Sequence, residues 1–259
     1  MRHPLGLSIG SVRRPLRSAL QLASELRYAG VELDGRGETS VKDLGPTAIR
    51  HLKKLLDDHR LSLHALEFST RRGFADEDAL ERRMAATVKA MTTAWHLGTT
   101  VVTSALPDIP DPATAAWQVL TESLGDLARS AQRTGARLAL VPLGQPPERI
   151  AALLTAVPDP TIAVALDPAE AILSGYDPAD VIAAAGDRLA LVYARDATRG
   201  RAGRRGVEAA LGRGNVEWEE LLARLEAVEY RGPLVVRPVD GLSGESPEHA
   251  AEFLTNLTA

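Results

Sequence analysis

The chain has 259 residues, 45% of them hydrophobic, and a formal net charge of −4. This length suits a single α/β barrel of about 250 residues, and the slightly acidic balance speaks against nucleic acid or an anionic membrane as a partner. Cysteine is absent, which excludes disulfides and thiol chemistry and fits a reducing compartment.

The opening residues, 1–16, hold no apolar run long enough for a secretion signal, and nowhere do about 20 apolar residues follow one another. The expectation is a cytoplasmic protein without a membrane segment. Eight short apolar runs then alternate with stretches of helical period: Leu5–Ile9, Gly30–Asp34, Leu61–Phe68, Thr100–Ala105, Arg137–Pro142, Thr161–Asp167, Leu189–Ala194 and Pro233–Pro238. Strands alternating with helices predict a parallel sheet covered by helices. Asp111-Pro112, Asp177-Pro178 and Ser246-Pro247 each put a capping side chain before a proline, which predicts three helix starts. In the third helix Leu80, Met84, Val88, Met91 and Trp95 recur at steps of three and four, predicting an apolar stripe against the sheet.

An open doubly wound sheet usually carries a glycine-rich phosphate turn after its first strand. Gly6-Leu7-Ser8-Ile9-Gly10-Ser11 has no G-x-G-x-x-G, so the eight runs predict one domain, residues 1–259, folded as a parallel eight-stranded (β/α)8 barrel. Its site face is the C-terminal end of the strands. Pro107–Pro112 and Arg199–Gly214 read as loops on that face. Within the second, Arg199–Gly206 has the composition of a solvated loop, or of one that closes over an anion.

Alternate strand residues face inward, so parity nominates the residues lining the mouth. In Val31-Glu32-Leu33-Asp34 it selects Glu32 and Asp34. Val141, Asp167, Tyr193 and Arg237 fall at the tips of four consecutive strands, with Arg195 on the face of Tyr193. His64 and Glu67 have opposite parity, which predicts that at most one points inward.

Five segments carry a resemblance: Gly30–Asp34, Asp167-Pro168-Ala169-Glu170, Val192–Asp196, Gly212-Arg213-Gly214-Asn215-Val216-Glu217-Trp218, and Tyr230-Arg231-Gly232-Pro233 with its following strand. Together they resemble the xylose isomerase-like sugar phosphate isomerase/epimerase superfamily over essentially the whole chain. The resemblance implies a divalent metal held by a Glu ending strand five, an Asp on strand six, a His on strand seven and a Glu ending strand eight. Those positions here are Val141, Asp167, Tyr193 and Arg237, and Glu170 stands where a strand-six histidine is expected.

Only Asp167 is a ready ligand. Valine has no donor, and a tyrosine must first lose a proton of pKa about 10. A fixed positive charge about 4 Å from a doubly charged ion costs on the order of 8 kcal/mol at an effective dielectric near 20. The expectation is therefore a degenerate metal site and no cofactor. Two readings of Arg237 follow: it stands in for the ion, pairing with Asp167 or meeting an anionic ligand, or it forms a structural salt bridge in a site without activity.

The candidate site comprises Glu32, Glu67 and Asp167 for proton transfer, with Asp34, His64, Glu170, Tyr193, Arg195 and Arg237 around a ligand. Carboxylates suit carbohydrate hydroxyls, whereas a lone histidine on a barrel strand is commonly a core residue. The implied function is a sugar isomerase/epimerase-like barrel that binds, or acts without metal on, a small polyhydroxylated and perhaps anionic compound. One alternative is an isomerase or epimerase acting on a carbohydrate or cyclitol with Mn, Mg, Zn or Co relocated to Glu32, Asp34, Glu67, Asp167 or Glu170. Another is an inactive structural or partner-binding barrel. A homodimer is compatible with any of these.

Overall fold

The computed structural model describes residues 3–200, 206–238 and 245–257. Its strands are β1 (Leu5–Ser8), β2 (Gly30–Asp34), β3 (Ser62–Glu67), β4 (Val101–Leu106), β5 (Arg137–Pro142), β6 (Ile162–Leu166), β7 (Leu189–Ala194) and, after a hairpin of β8 (Asp196–Thr198) and β9 (Val207–Ala209), β10 (Leu234–Val236). β1 to β7 and β10 form a closed parallel barrel, with β1 pairing to both β2 and β10. The helices are α1 (Leu16–Glu25), α2 (Pro46–Asp58), α3 (Leu80–Leu97), α4 (Ala115–Thr134), α5 (Pro147–Ala156), α6 (Pro168–Leu173), α7 (Pro178–Ala185), α8 (Trp218–Ala227) and α9 (Pro247–Leu257). This is the (β/α)8 architecture. No helix among the described residues is long and apolar enough to cross a membrane.

The barrel has two apolar layers of different grain. Between strands and helices the buried side chains are large, including Leu7, Leu33, Leu66, Leu138 and Val192, each worth roughly 1.5–3 kcal/mol on burial. Inside the barrel they are small: Ala65, Ala139, Ala163 and Ala165 pack with Val141, Leu191, Val235 and Tyr193. Alanines on β3, β5 and β6 make room for the Tyr193 ring, which is 0% exposed.

A bulge alters the third strand. Val31 pairs with Leu63 but Glu32 pairs with Ala65, leaving His64 as an extra residue. A bulge re-aims the side chains around it, and His64 turns into the barrel at its closed end. A Cβ on Gly30 would stand 2.5 Å from its Nε2, and one on Gly6 2.6 Å from its Nδ1. Both His64 and Glu67 therefore point inward, against the parity expectation, which assumed an unbroken two-residue repeat.

Three other expectations need correcting. Asp177 and Ser246 do cap α7 and α9, accepting from the backbone N–H groups of Ala179 and His249. Asp111 does not cap a helix: it closes a turn on Ala113 N and pairs with Arg149 (2.7 Å), and α4 starts at Ala115, capped by Thr114. On α3 the buried face is Thr87, Ala90, Met91, Ala94 and Leu97, with Met84 and Val88 at its edge. Trp95 is 54% exposed, because small residues let the helix approach closely and the bulky ones are displaced sideways. The segment read as a long loop, Arg199–Gly214, contains β9, paired to β8 through Thr198↔Val207; its residues 201–205 lie outside the described residues.

Candidate active site at the barrel mouth

Glu32 forms the floor of the mouth. Strand parity turns its carboxylate inward, where it is 0% exposed and surrounded by hydroxyl groups. Ser8 donates to Oε2 (2.8 Å), while Thr103 (2.9 Å) and Tyr193 (2.7 Å) donate to Oε1. A buried carboxylate is tolerated only when its lone pairs are filled in this way. Burial and the neighbouring Glu32 charge push the Tyr193 phenol well above its ordinary pKa, so it remains a hydrogen-bond donor. Glu32 thus holds β1, β2, β4 and β7 together beneath the mouth instead of facing a ligand.

Arg237, just past β10, lies over this floor. Its guanidinium carbon is 5.1 Å from the centre of the Tyr193 ring, within cation–π range. Burial opposes its charge, but the fields of Glu32, Tyr193, Glu67 and Asp167 outweigh that, and its pKa is raised. No hydrogen-bond or ion-pair acceptor among the described residues engages it. It opens on a cavity of about 220 Å³ that Ser8, Ser11, Arg13, Asp34, Glu67 and Arg237 help to line.

Two carboxyl groups face that cavity. Asp34 accepts the Arg36 backbone N–H (2.8 Å) and keeps its second oxygen for the opening. Glu67 accepts from Ser69 N (3.1 Å). Burial pushes the Glu67 carboxyl above its ordinary pKa, the Ser69 bond works the other way, and Glu32 adds to the rise. A carboxyl tuned upward at the wall of a cavity suits proton transfer.

Asp167 is engaged elsewhere. It caps α6 by accepting from Glu170 N (3.2 Å), and its other oxygen pairs with Arg195, which also contacts Glu208 on β9 at 3.2 Å. Of the roles offered for Arg237, the pair with Asp167 is not formed, because Arg195, just past β7, reaches the same carboxylate and ties it to the hairpin. Glu170 lies behind this pair. Burial and the Asp167 charge raise its carboxyl pKa.

These residues do not fit a divalent metal at the four positions to which the resemblance points. Val141 is packed into the interior, Asp167 is taken by a guanidinium, the Tyr193 proton is committed to Glu32, and Arg237 brings a positive charge. No group of three or more His, Asp or Glu among the described residues has the geometry to hold a metal ion. A relocated metal would have to displace three hydroxyl bonds at Glu32 or a buried ion pair at Asp167, and Asp34, Glu67 and Glu170 belong to no group of three ligands with the geometry to hold one among the described residues.

His64 sits at the other end of the barrel from the cavity. Its Nδ1 is buried with no hydrogen-bond partner, and burial pushes its pKa down to about 4. Parity alone did not nominate Ser8, Thr103, Ser11 or Arg13. Ser8 and Thr103 share inward faces with Gly6 and Val101, so their hydroxyl groups were the available signal.

Asp196 was also missed, although it explains the most telling motif. It is 1% exposed, and its Oδ1 accepts from the backbone N–H groups of Ala197 (2.8 Å) and Val216 (3.0 Å). Its Oδ2 accepts from Gly212 (3.0 Å), Gly214 (3.1 Å) and the Trp218 indole (3.3 Å). A Cβ at Gly214 would stand 2.0 Å from Oδ1. The spacing G-x-G-x-x-x-W is thus the wrapping of a chain around one buried carboxylate.

Comparison with solved structures gives the same architecture. A xylose isomerase domain protein from Planctomyces limnophilus superposes with a TM-score of 0.86 at 19% identity, covering 99% of this chain and 98% of that one. A xylose isomerase-like TIM barrel protein from Mycobacterium smegmatis, solved in complex with magnesium, gives 0.80 at 16% identity, covering 100% and 99%. The 3-keto-D-glucoside 4-epimerase of E. coli gives 0.77 at 16% identity, covering 98% and 100%. No curated protein is significantly similar to the chain in sequence. The model of the xylose isomerase-like TIM barrel family matches residues 20–257, and the chain belongs to that family.

Proposed function

We propose that this barrel binds, or acts without a metal ion on, a small polyhydroxylated compound at its mouth. The observation that carries this reading is Arg237: a held cation stands over the Tyr193 ring, facing the cavity, at a position where the resemblance implies a chelating Glu. Around it Asp34 and Glu67 offer the acceptors that sugar hydroxyls need, and Glu67 is the group suited to take up or release a proton. Relatives named as sugar epimerases support a carbohydrate or cyclitol as the class of compound. The absence of cysteine fits a cytoplasmic setting.

A second reading is favoured by the complete burial of Tyr193: a mouth sealed by its own side chains, with no ligand. One experiment separates the two. Protein dialysed against EDTA is titrated calorimetrically with C4 to C6 polyols, ketoses, inososes and their acid derivatives. Binding that needs no divalent ion, and that Asp34→Asn with Glu67→Gln weakens, is expected. Binding only after Mg or Mn is restored contradicts the metal-free reading, and silence from every compound leaves the sealed barrel.

A further inference from the structure

We infer that the compound taken up at the mouth carries a carboxylate, and that Arg237 receives it through a two-pronged hydrogen-bonded contact. This inference rests on the metal-free binding reading and narrows it to a class, the hydroxylated carboxylic acids of sugar size.

The case begins with the donors. A guanidinium has five N–H groups lying in its plane, and beyond the contact of Arg237 with the Tyr193 ring no hydrogen-bond acceptor among the described residues engages them. Two of the carboxylates nearby are committed to other donors, and Asp34 and Glu67, which share the cavity, make no hydrogen bond or ion pair to Arg237. Glu32 is filled by three hydroxyls, and Asp167 is held by Arg195 and by the first turn of α6. The fork of Arg237 is therefore charged, partly desolvated and without a protein acceptor among the described residues. Planar carboxylates match that fork in both spacing and charge.

Charge decides against a phosphate. Asp34 and Glu67 share the cavity wall with Arg13 and Arg237, and Glu32 lies beneath. With three carboxylates against two guanidiniums the set has no excess of positive charge to offer, so a dianion is repelled about twice as strongly as a carboxylate that meets the Arg237 fork. Volume sets the size: about 220 Å³ is below the roughly 300–1,000 Å³ typical of pockets for drug-sized ligands. A carboxylate on Arg237 also puts the rest of the molecule against Asp34 and Glu67, where hydroxyl groups can donate.

The test uses the full chain, dialysed against EDTA, and three sets of probes: threonate, gluconate and glucuronate; the uncharged threitol, sorbitol and glucose; and glucose 6-phosphate. Calorimetry is expected to show at least one acid binding about ten times or more tightly than its uncharged partner, with the phosphate weaker than the acid. Arg237→Gln should reduce that binding about 10- to 100-fold, and Arg237→Lys should recover part of it. Circular dichroism and melting temperature verify that both variants fold, and the lysine variant keeps the comparison open if the glutamine variant does not. Equal binding of acids and uncharged polyols, preference for the phosphate, or affinity unchanged by Arg237→Gln overturns the inference while leaving the polyol site standing. No binding by any probe overturns that reading as well.

Discussion

Replacing Tyr193 by phenylalanine removes one oxygen and keeps the ring that packs among the alanines and under Arg237. The phenol donates to Glu32 at 2.7 Å inside a barrel where both residues are 0% exposed, so its loss leaves Oε1 with Thr103 as its one remaining donor. A hydrogen bond to a buried charge is worth roughly 1.5–3 kcal/mol. At about 2–4 °C per kcal/mol for a chain of this size, Tyr193→Phe should lower the melting temperature by about 3–12 °C. The decisive measurement is a double-mutant cycle with Glu32→Gln in urea: if the carboxylate charge makes the bond strong, Tyr193→Phe should cost below about 1 kcal/mol in the glutamine background. An equal cost in both backgrounds, or no cost in either, would refute the view that Tyr193 is a committed donor.

His64 predicts an acid-sensitive barrel. The unfolded chain takes up its proton near pH 6.5 and the folded chain only near 4, so the unfolded state binds more protons between those values. Stability is fully present above about 6.5 and lost as pH falls toward 4, by up to about 3 kcal/mol at 1.36 kcal/mol per unit. In urea melts from pH 7 to 4, His64→Gln should flatten that dependence, whereas parallel curves for the two proteins would argue against it. Asp196→Asn presents an amide to five N–H donors that now share a carboxylate. A loss of roughly 3–5 kcal/mol and faster hydrogen exchange across residues 212–218 are expected, and a change below about 1 kcal/mol would remove Asp196 from its organising role.

The barrel was legible because its strands are covered on both sides. Gly30–Asp34, Arg137–Pro142 and Leu189–Ala194 are unbroken or alternating apolar runs, and their ends coincide with the observed strands. Parity correctly turned Glu32 and Asp34 inward because β2 itself is regular. It failed at β3, where the bulge belongs to the pairing of two strands and leaves no mark in either sequence. Short polar strands such as β8 and β9 have no apolar repeat, so the hairpin was read as loop. The partner of Asp167 stayed open for a related reason: Arg195 and Arg237 are both long cations near one rim, and only three-dimensional reach decides between them. Trp95 shows the limit of helical periodicity, which finds a stripe but not the side on which close packing places it.

Manganese titration followed by electron paramagnetic resonance addresses most directly whether this mouth has exchanged an ion for a guanidinium. The chain as it stands should bind no stoichiometric Mn(II) at its strand ends, while a variant combining Val141→Glu, Tyr193→His and Arg237→Glu should gain one site of measurable affinity. One tightly held Mn(II) in the unaltered chain, lost on Asp167→Ala, would contradict the metal-free mouth.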